Sequence, residues 1–164
     1  MQTLLPIAEN ISRLLKQRGE TLAISESSAG GLISASLLAV PGASAFFLGG
    51  GVVYTRQARS ALLGITDAEM KGIRSSGEPC PQLLSRTGRH RHGATWGLWE
   101  TGAAGPTGNR YGDAAGHTCI AVAGPIERVL TLETGHGDRA ANMRAFAQKA
   151  LATLAEALSS AERK

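Results

Sequence analysis

Two serines follow a short apolar run and precede a pair of glycines in Ser25-Glu26-Ser27-Ser28-Ala29-Gly30-Gly31. A hydroxyl at a strand-to-helix turn sits beside backbone N–H groups that lack a partner inside the helix, at the positive end of its dipole. Such surroundings stabilise an alkoxide or a developing oxyanion, as nucleophile elbows do, and make Ser27 a candidate nucleophile. Capping of the helix by Ser27 or Ser28 is the commoner use of serine at that place. Gly30 and Gly31 weigh against a mere cap, because glycine inside a helix costs stability and marks close approach by another group.

A second segment, Gly49-Gly50-Gly51-Val52-Val53-Tyr54-Thr55-Arg56-Gln57-Ala58-Arg59, ends a strand at Tyr54 and places Arg59 in a short helix five residues on. Both side chains can face a cleft at the strand's end, where open α/β sheets bind ligands. An edge tyrosine with two solvated arginines is the plainer alternative. A third segment, the loop from Gly102 through Ala104, Gly105 and Pro106 to Asp113, is long for a compact domain, and such loops are functional or mobile. Its glycines would let backbone N–H groups approach a phosphate or carboxamide. It matches neither the P-loop nor the dinucleotide fingerprint.

The elements that must position these segments follow from periodicity. Leu4, Ile7, Ala8, Ile11, Leu14 and Leu15 share a helical face that ends at Gly19. Thr21–Ser25 reads as a buried strand, residues 28–39 as a helix, 45–54 as a strand and 57–63 as a short helix. A further short helix is expected over 67–71 and a longer one over 79–90. Strands are expected at 95–101, 117–123 and 127–133, the last two joined at Gly124-Pro125. A final helix runs from Asp138 to about Ser159, with Met143, Ala147, Ala150, Leu151, Leu154 and Leu158 on one face. Alternating helices and strands predict a single α/β domain over residues 1–164, a layered α/β/α sandwich with a mixed, mostly parallel sheet.

Composition narrows the function classes. With 164 residues, 43% of them hydrophobic and 18% charged, the chain is a globular protein and not a disordered one. No apolar run approaches the roughly 20 residues of a membrane span, and the N-terminus is no signal peptide, so a cytoplasmic location without membrane contact is expected. Cys80 and Cys119 lie in no CxxC or CxxH spacing, and His90, His92, His117 and His136 are scattered, so neither a metal nor another cofactor is expected. The net charge of +4 is modest. The basic stretch Arg86–His92 carries no interleaved aromatics, so a solvated helix end accounts for it better than a nucleic-acid surface. A basic cleft for a small phosphorylated ligand accounts for the charge equally well.

Taken in order, the segments resemble the CinA C-terminal domain family, whose members read E-S-x-T-G-G, V-x-Y-S-N-x-A-K, G-x-A-G-P and a final G-D-R. The counterparts here are Glu26–Gly31, Val52–Arg59, Gly102–Pro106 and Gly137-Asp138-Arg139. The likeness spans residues 5–158. It implies hydrolysis of the carboxamide of nicotinamide mononucleotide to nicotinate mononucleotide and ammonia. By the same likeness Ser27 is the nucleophile and Tyr54 relays a proton or holds the oxyanion. Glu26, Ser28, Gly30, Gly31, Arg56, Gly102, Ala104, Gly105 and Pro106 would line the nucleotide site, and Arg144 would meet the phosphate.

The family's base lysine falls on Arg59, its asparagine on Arg56 and its threonine on Ala29. A lysine can lose its proton when buried and then accept one from serine, whereas a guanidinium stays charged and only donates. Either His117 or Tyr54 serves as base, or the substrate differs, or the pocket binds an anionic nucleotide without turnover, a task that suits the arginine fork. Nucleic-acid binding through Arg86–His92 is the third expectation. An exposed sheet edge would favour self-association.

Overall fold

The chain is described by a computed structural model over residues 2–73 and 79–161. Helix α1 (Leu5–Arg18) has Pro6 in its first turn and stops at Gly19, whose φ of 63° lets its N–H reach back to the carbonyls of Leu15 and Lys16. Strand β1 (Leu22–Glu26) is buried along its whole length, as a central strand covered on both faces must be. Helix α2 (Leu32–Leu38), strand β2 (Phe47–Val52) and helix α3 (Arg56–Leu63) follow, with Thr55 capping α3 through the Ala58 N–H. Helix α4 (Pro79–His92) leads to β3 (Trp96–Ala103), β4 (His117–Ala123) and β5 (Arg128–Glu133). Helix α5 (Arg139–Ser160) closes the chain, its first turn capped by the Asp138 carboxylate on the Ala141 N–H.

The strands form one mixed sheet in the order β2-β1-β3-β4-β5. β2, β1 and β3 run parallel, while β3–β4 and β4–β5 are antiparallel. α1, α2 and α5 cover one face and α3 and α4 the other, which gives the expected three layers. The larger core packs Ile11, Leu15, Ile24, Ile33, Leu98, Ile120, Phe146, Leu151 and Leu154 beneath α1, α2 and α5. A smaller one joins Val53, Leu63, Ile65, Cys80, Leu84 and Trp99 beneath α4.

Several features differ from expectation, among them the end of the second strand: β2 stops at Val52, so Tyr54 lies beyond the strand and does not end it. α2 begins at Leu32 rather than residue 28, because Gly30 (φ 66°) and Gly31 (φ 97°) take a left-handed backbone that no helix continues. Residues 67–72 form turns and no helix, and a short 3₁₀ turn (Ala43–Ala45) takes the start of the expected second strand. β3 runs to Ala103, so Gly102 belongs to the strand and not to the loop.

α4 sits close on the sheet because Gly97 has no side chain. A Cβ there would lie 2.3 Å from the Ser85 carbonyl oxygen and 2.8 Å from the Arg89 Cβ. Gly97→Ala is therefore expected to lower stability by about 1–3 kcal/mol in urea unfolding, the usual range for an overpacked contact.

Candidate functional site

β1 and β3 are parallel neighbours from which the chain builds outward to opposite edges of the sheet, β2 on one side and β4 and β5 on the other, and a cavity of about 680 Å³ opens at this switch point. Open α/β sheets bind ligands at such a crevice. Its walls come from four stretches: Ser27 and Ser28 after β1, Val53 to Gln57 with Arg59 after β2, Thr101 to Gly105 and Thr107 to Tyr111 around the end of β3, and Arg139 at the start of α5. Cys80, Leu84 and Trp99 close it from below.

The turn that carries Ser27 is held by two buried carboxylates. Glu26 Oε2 accepts from the N–H groups of Gly31 and Ile33 at 3.0 Å each, and its Oε1 accepts from the Ser34 N–H and hydroxyl. Beside it, Glu100 Oε2 accepts from the Ser27 and Ala29 N–H groups at 3.1 and 2.8 Å, and its Oε1 accepts from the Thr118 hydroxyl at 2.9 Å. Ser28 is tied separately, its hydroxyl accepting from the Gly102 N–H at 2.7 Å. The Ser27 hydroxyl and the Ser28 N–H are left without partners among the described residues. Burial pushes the Glu100 carboxyl up to about 7, against the hydrogen bonds from Ala29, Thr118 and Ser27 that favour its ionised form, and the nearby Glu26 adds to the rise.

Tyr54, more than half exposed, holds its hydroxyl 3.1 Å from Arg139 Nη2, while Arg139 Nη1 donates to the Gly105 carbonyl at 2.7 Å. Arg139 thereby bridges the segments after β2 and β3. Arg59 is buried and engaged. Its Nη2 pairs with Asp67 and its Nε donates to the Ile65 carbonyl, which ties α3 to the following turn. Arg56 and Arg110 line the cavity, are exposed and pair with no described residue. The 107–113 loop is ordered by its own contacts: Asn109 Oδ1 accepts from the Tyr111 and Asp113 N–H groups, and Asn109 Nδ2 donates to Asp113 Oδ2.

Of the residues expected at the site, Ser27, Ser28, Tyr54, Arg56, Arg59, Gly102, Ala104 and Gly105 line the cavity. Glu26 does not; it is fully buried and spent as the cap of α2. Gly30 and Gly31 shape the turn behind the serine, where a Cβ on Gly30 would strike the Met143 Cε at 2.7 Å. Pro106 is exposed beside Gly137, away from the lining. Arg144 is exposed on α5, five residues beyond Arg139, and does not reach the cavity. His117 is bound to Glu133 outside the lining and cannot serve Ser27 as base. The sequence reading missed Glu100, Trp99 and the placement of Arg139, and reached Arg110 only as part of the 102–113 loop. A glutamate within an apolar strand was the available signal for Glu100. Cys80 also lines the cavity, but burial raises its thiol to about 12, so it carries no thiolate for attack.

The CinA C-terminal domain family model matches residues 4–158. A CinA-like protein of Prochlorococcus marinus is 40% identical over 73% of this chain and 28% of its own length. Another, from Anaeromyxobacter, is 36% identical over 93% of this chain and 37% of its own length. The chain thus spans about a third of the length of the curated relatives it matches. Among solved structures, the competence damage-inducible protein A of Klebsiella pneumoniae superposes with a TM-score of 0.89 at 26% identity, over 97% of this chain and 99% of that one. The chain belongs to the CinA C-terminal domain family. No helix among the described residues is long and apolar enough to cross a membrane.

A buried acid whose folded-state value is raised binds its proton more tightly folded than unfolded. The stability that its protonated form contributes is complete below the ordinary carboxylate range and is lost as pH rises through about 7. Urea unfolding of the native chain is expected to show a loss of a few kcal/mol between about pH 5 and about pH 8 from this group. Glu100→Gln should remove most of that slope and be the more stable protein at the alkaline end.

Proposed function

We propose that this member of the CinA C-terminal domain family binds an anionic nucleotide of the nicotinamide mononucleotide class in the cavity at Ser27. One observation carries the reading. Arg56, Arg59, Arg110 and Arg139 line the cavity, and among the described residues no aspartate, glutamate, histidine or lysine does. A site walled by guanidinium groups favours phosphate, which two-point contact recognises best. Arg56 and Arg110, which have no partner among the described residues, are the groups to meet it. Ala104 and Gly105 offer backbone N–H groups without partners among the described residues, and Val53, Leu84 and Trp99 supply an apolar floor for a base. The volume suits a small-molecule site, for which about 300–1,000 Å³ is usual.

Hydrolysis of the ligand's carboxamide is the second reading, and the unengaged Ser27 hydroxyl favours it. Ser27 Oγ would attack the carboxamide carbon, the Ser28 N–H would receive the developing oxyanion, ammonia would leave, and water would release the carboxylate. The step needs a proton acceptor. Arg59 is a donor already paired with Asp67, which leaves two phenols in the lining, Tyr54, whose oxygen is held by Arg139, and Tyr111. Binding without turnover is accordingly the reading the geometry supports best.

Calorimetric titration with nicotinamide mononucleotide and a parallel ammonia assay test both. Binding is expected, weakened about tenfold by Arg56→Ala and again by Arg110→Ala, as fits the loss of a charged hydrogen bond. No detectable binding at millimolar ligand overturns the nucleotide reading. Ammonia release abolished by Ser27→Ala establishes the second. Release by Arg59→Lys alone identifies the absent base as the defect.

A further inference from the structure

We propose that Glu100 is a positioning residue for Ser27: its buried carboxyl, on the strand beside the serine, fixes the 27–29 turn so that the Ser27 hydroxyl and Ser28 N–H are left to the cavity. The Ala29 N–H has Glu100 Oε2, at 2.8 Å, as its acceptor, and Ala29 is fully buried. The Ser27 N–H is shared between that oxygen at 3.1 Å and the Glu100 carbonyl at 3.0 Å. Because alternate N–H groups of the turn point down to Glu100, the one between them, on Ser28, points elsewhere. Removal of the carboxyl would leave Ala29 a buried donor without an acceptor, which a protein relieves by moving the backbone.

The hydrogen bonds accommodate either protonation state. Thr118 Oγ1 lies 2.9 Å from Glu100 Oε1 and 3.1 Å from the Thr101 carbonyl oxygen. When Glu100 is ionised the threonine donates to it. When Glu100 carries a proton on Oε1, that oxygen donates to Thr118 Oγ1, and the threonine hydroxyl turns to Thr101. Oε2 keeps Ser27 and Ala29 in both. What changes is a negative charge directly beneath the turn, and an anion in the cavity is repelled only by the ionised form. Glu26 on β1 is the charged neighbour that acts on Glu100, and it raises the same titration. From β4 the facing group is Thr118, and no charged side chain of α2 or α5 contributes. Ligand affinity should therefore fall as pH rises through about 7.

Glutamine at 100 reproduces the protonated arrangement, its amide oxygen accepting from Ser27 and Ala29 and its NH₂ donating to Thr118. Leucine supplies neither. The test is a ¹⁵N-resolved pH titration of the full chain with hydrogen exchange, for the native protein, Glu100→Gln and Glu100→Leu. In the native protein the Ser27 and Ala29 amide signals should move together with one midpoint near neutrality. In Glu100→Gln they should stay still and protected. In Glu100→Leu the Ala29 amide should exchange at least tenfold faster while amides of α1 and β4 remain native.

The binding arm rests on the nucleotide reading: the affinity for nicotinamide mononucleotide should drop tenfold or more in Glu100→Leu, be restored by Glu100→Gln, and lose its pH dependence there. Absence of binding by the native protein overturns the nucleotide reading alone, since the amide signals still judge the positioning role. Ala29 exchange unchanged in Glu100→Leu, or Ser27 and Ala29 signals that titrate equally in Glu100→Gln, overturns the proposal. Should Glu100→Leu not fold, the Glu100→Gln titration decides.

Discussion

Two glutamates stand side by side, Glu26 at the carboxyl end of β1 and Glu100 opposite it within β3, in register with each other and wholly out of water. Burying one carboxylate costs several kcal/mol unless hydrogen bonds compensate, and burying two together adds their mutual repulsion. The chain meets this with backbone. Glu26 takes four donors from the start of α2, and Glu100 takes Ser27, Ala29 and the Thr118 hydroxyl. The geometry of the site follows from that requirement. A turn whose N–H groups are claimed from below presents its remaining groups upward, and the serine hydroxyl is one of them.

Above the turn the charge is of the other sign. Four guanidinium groups face the cavity, but they are not equivalent. Arg59 and Arg139 are structural, the first clamping α3 to Asp67 and Ile65, the second joining Tyr54 to the backbone at Gly105. Arg56 and Arg110 are the ones whose donors are unfilled among the described residues. The site is thus a field of positive charge with two unengaged arginines, an arrangement matched to holding an anion and poorly matched to taking a proton from serine. A lysine in place of Arg59 would be a point charge able to deprotonate, without a planar fork to divide between a carboxylate and a carbonyl.

The sequence was most legible where one physical rule acted alone. The stripe of Ala147, Ala150, Leu151, Leu154 and Leu158 predicts α5 and its buried face, and Asp138 predicts its cap. The apolar run before Ser25 predicts a buried strand, and β1 is one. Sequence order identified the lining at Ser27, Tyr54, Arg59 and Gly105, because strand ends that converge in an α/β sheet bring their following residues together. Reading failed where long-range pairing decided the outcome. The glycines at 30 and 31 looked like part of a helix until their positive φ placed the helix start at Leu32. Glu26 looked like a ligand contact, yet its role depends on donors five to eight residues away. Glu100 acquires its meaning from Ser27 and Ala29, more than seventy residues earlier, and no local pattern encodes that partnership. Arg144 and Arg139 share a helix, but only the residue at its very start overhangs the strand ends.

The segment between β1 and α2 is moored twice, to different strands. Residues 27–29 hang from β3 through Glu100, residues 31–34 from β1 through Glu26, and Gly30 at φ 66° is the joint between the two moorings. The serine-bearing half and the helix-bearing half are therefore mechanically separable. Resizing or resurfacing α2 beyond Ser34 would strain the second anchorage and leave the first untouched. That modularity lets the outer layer of this domain be altered while the corner at Ser27 keeps its shape.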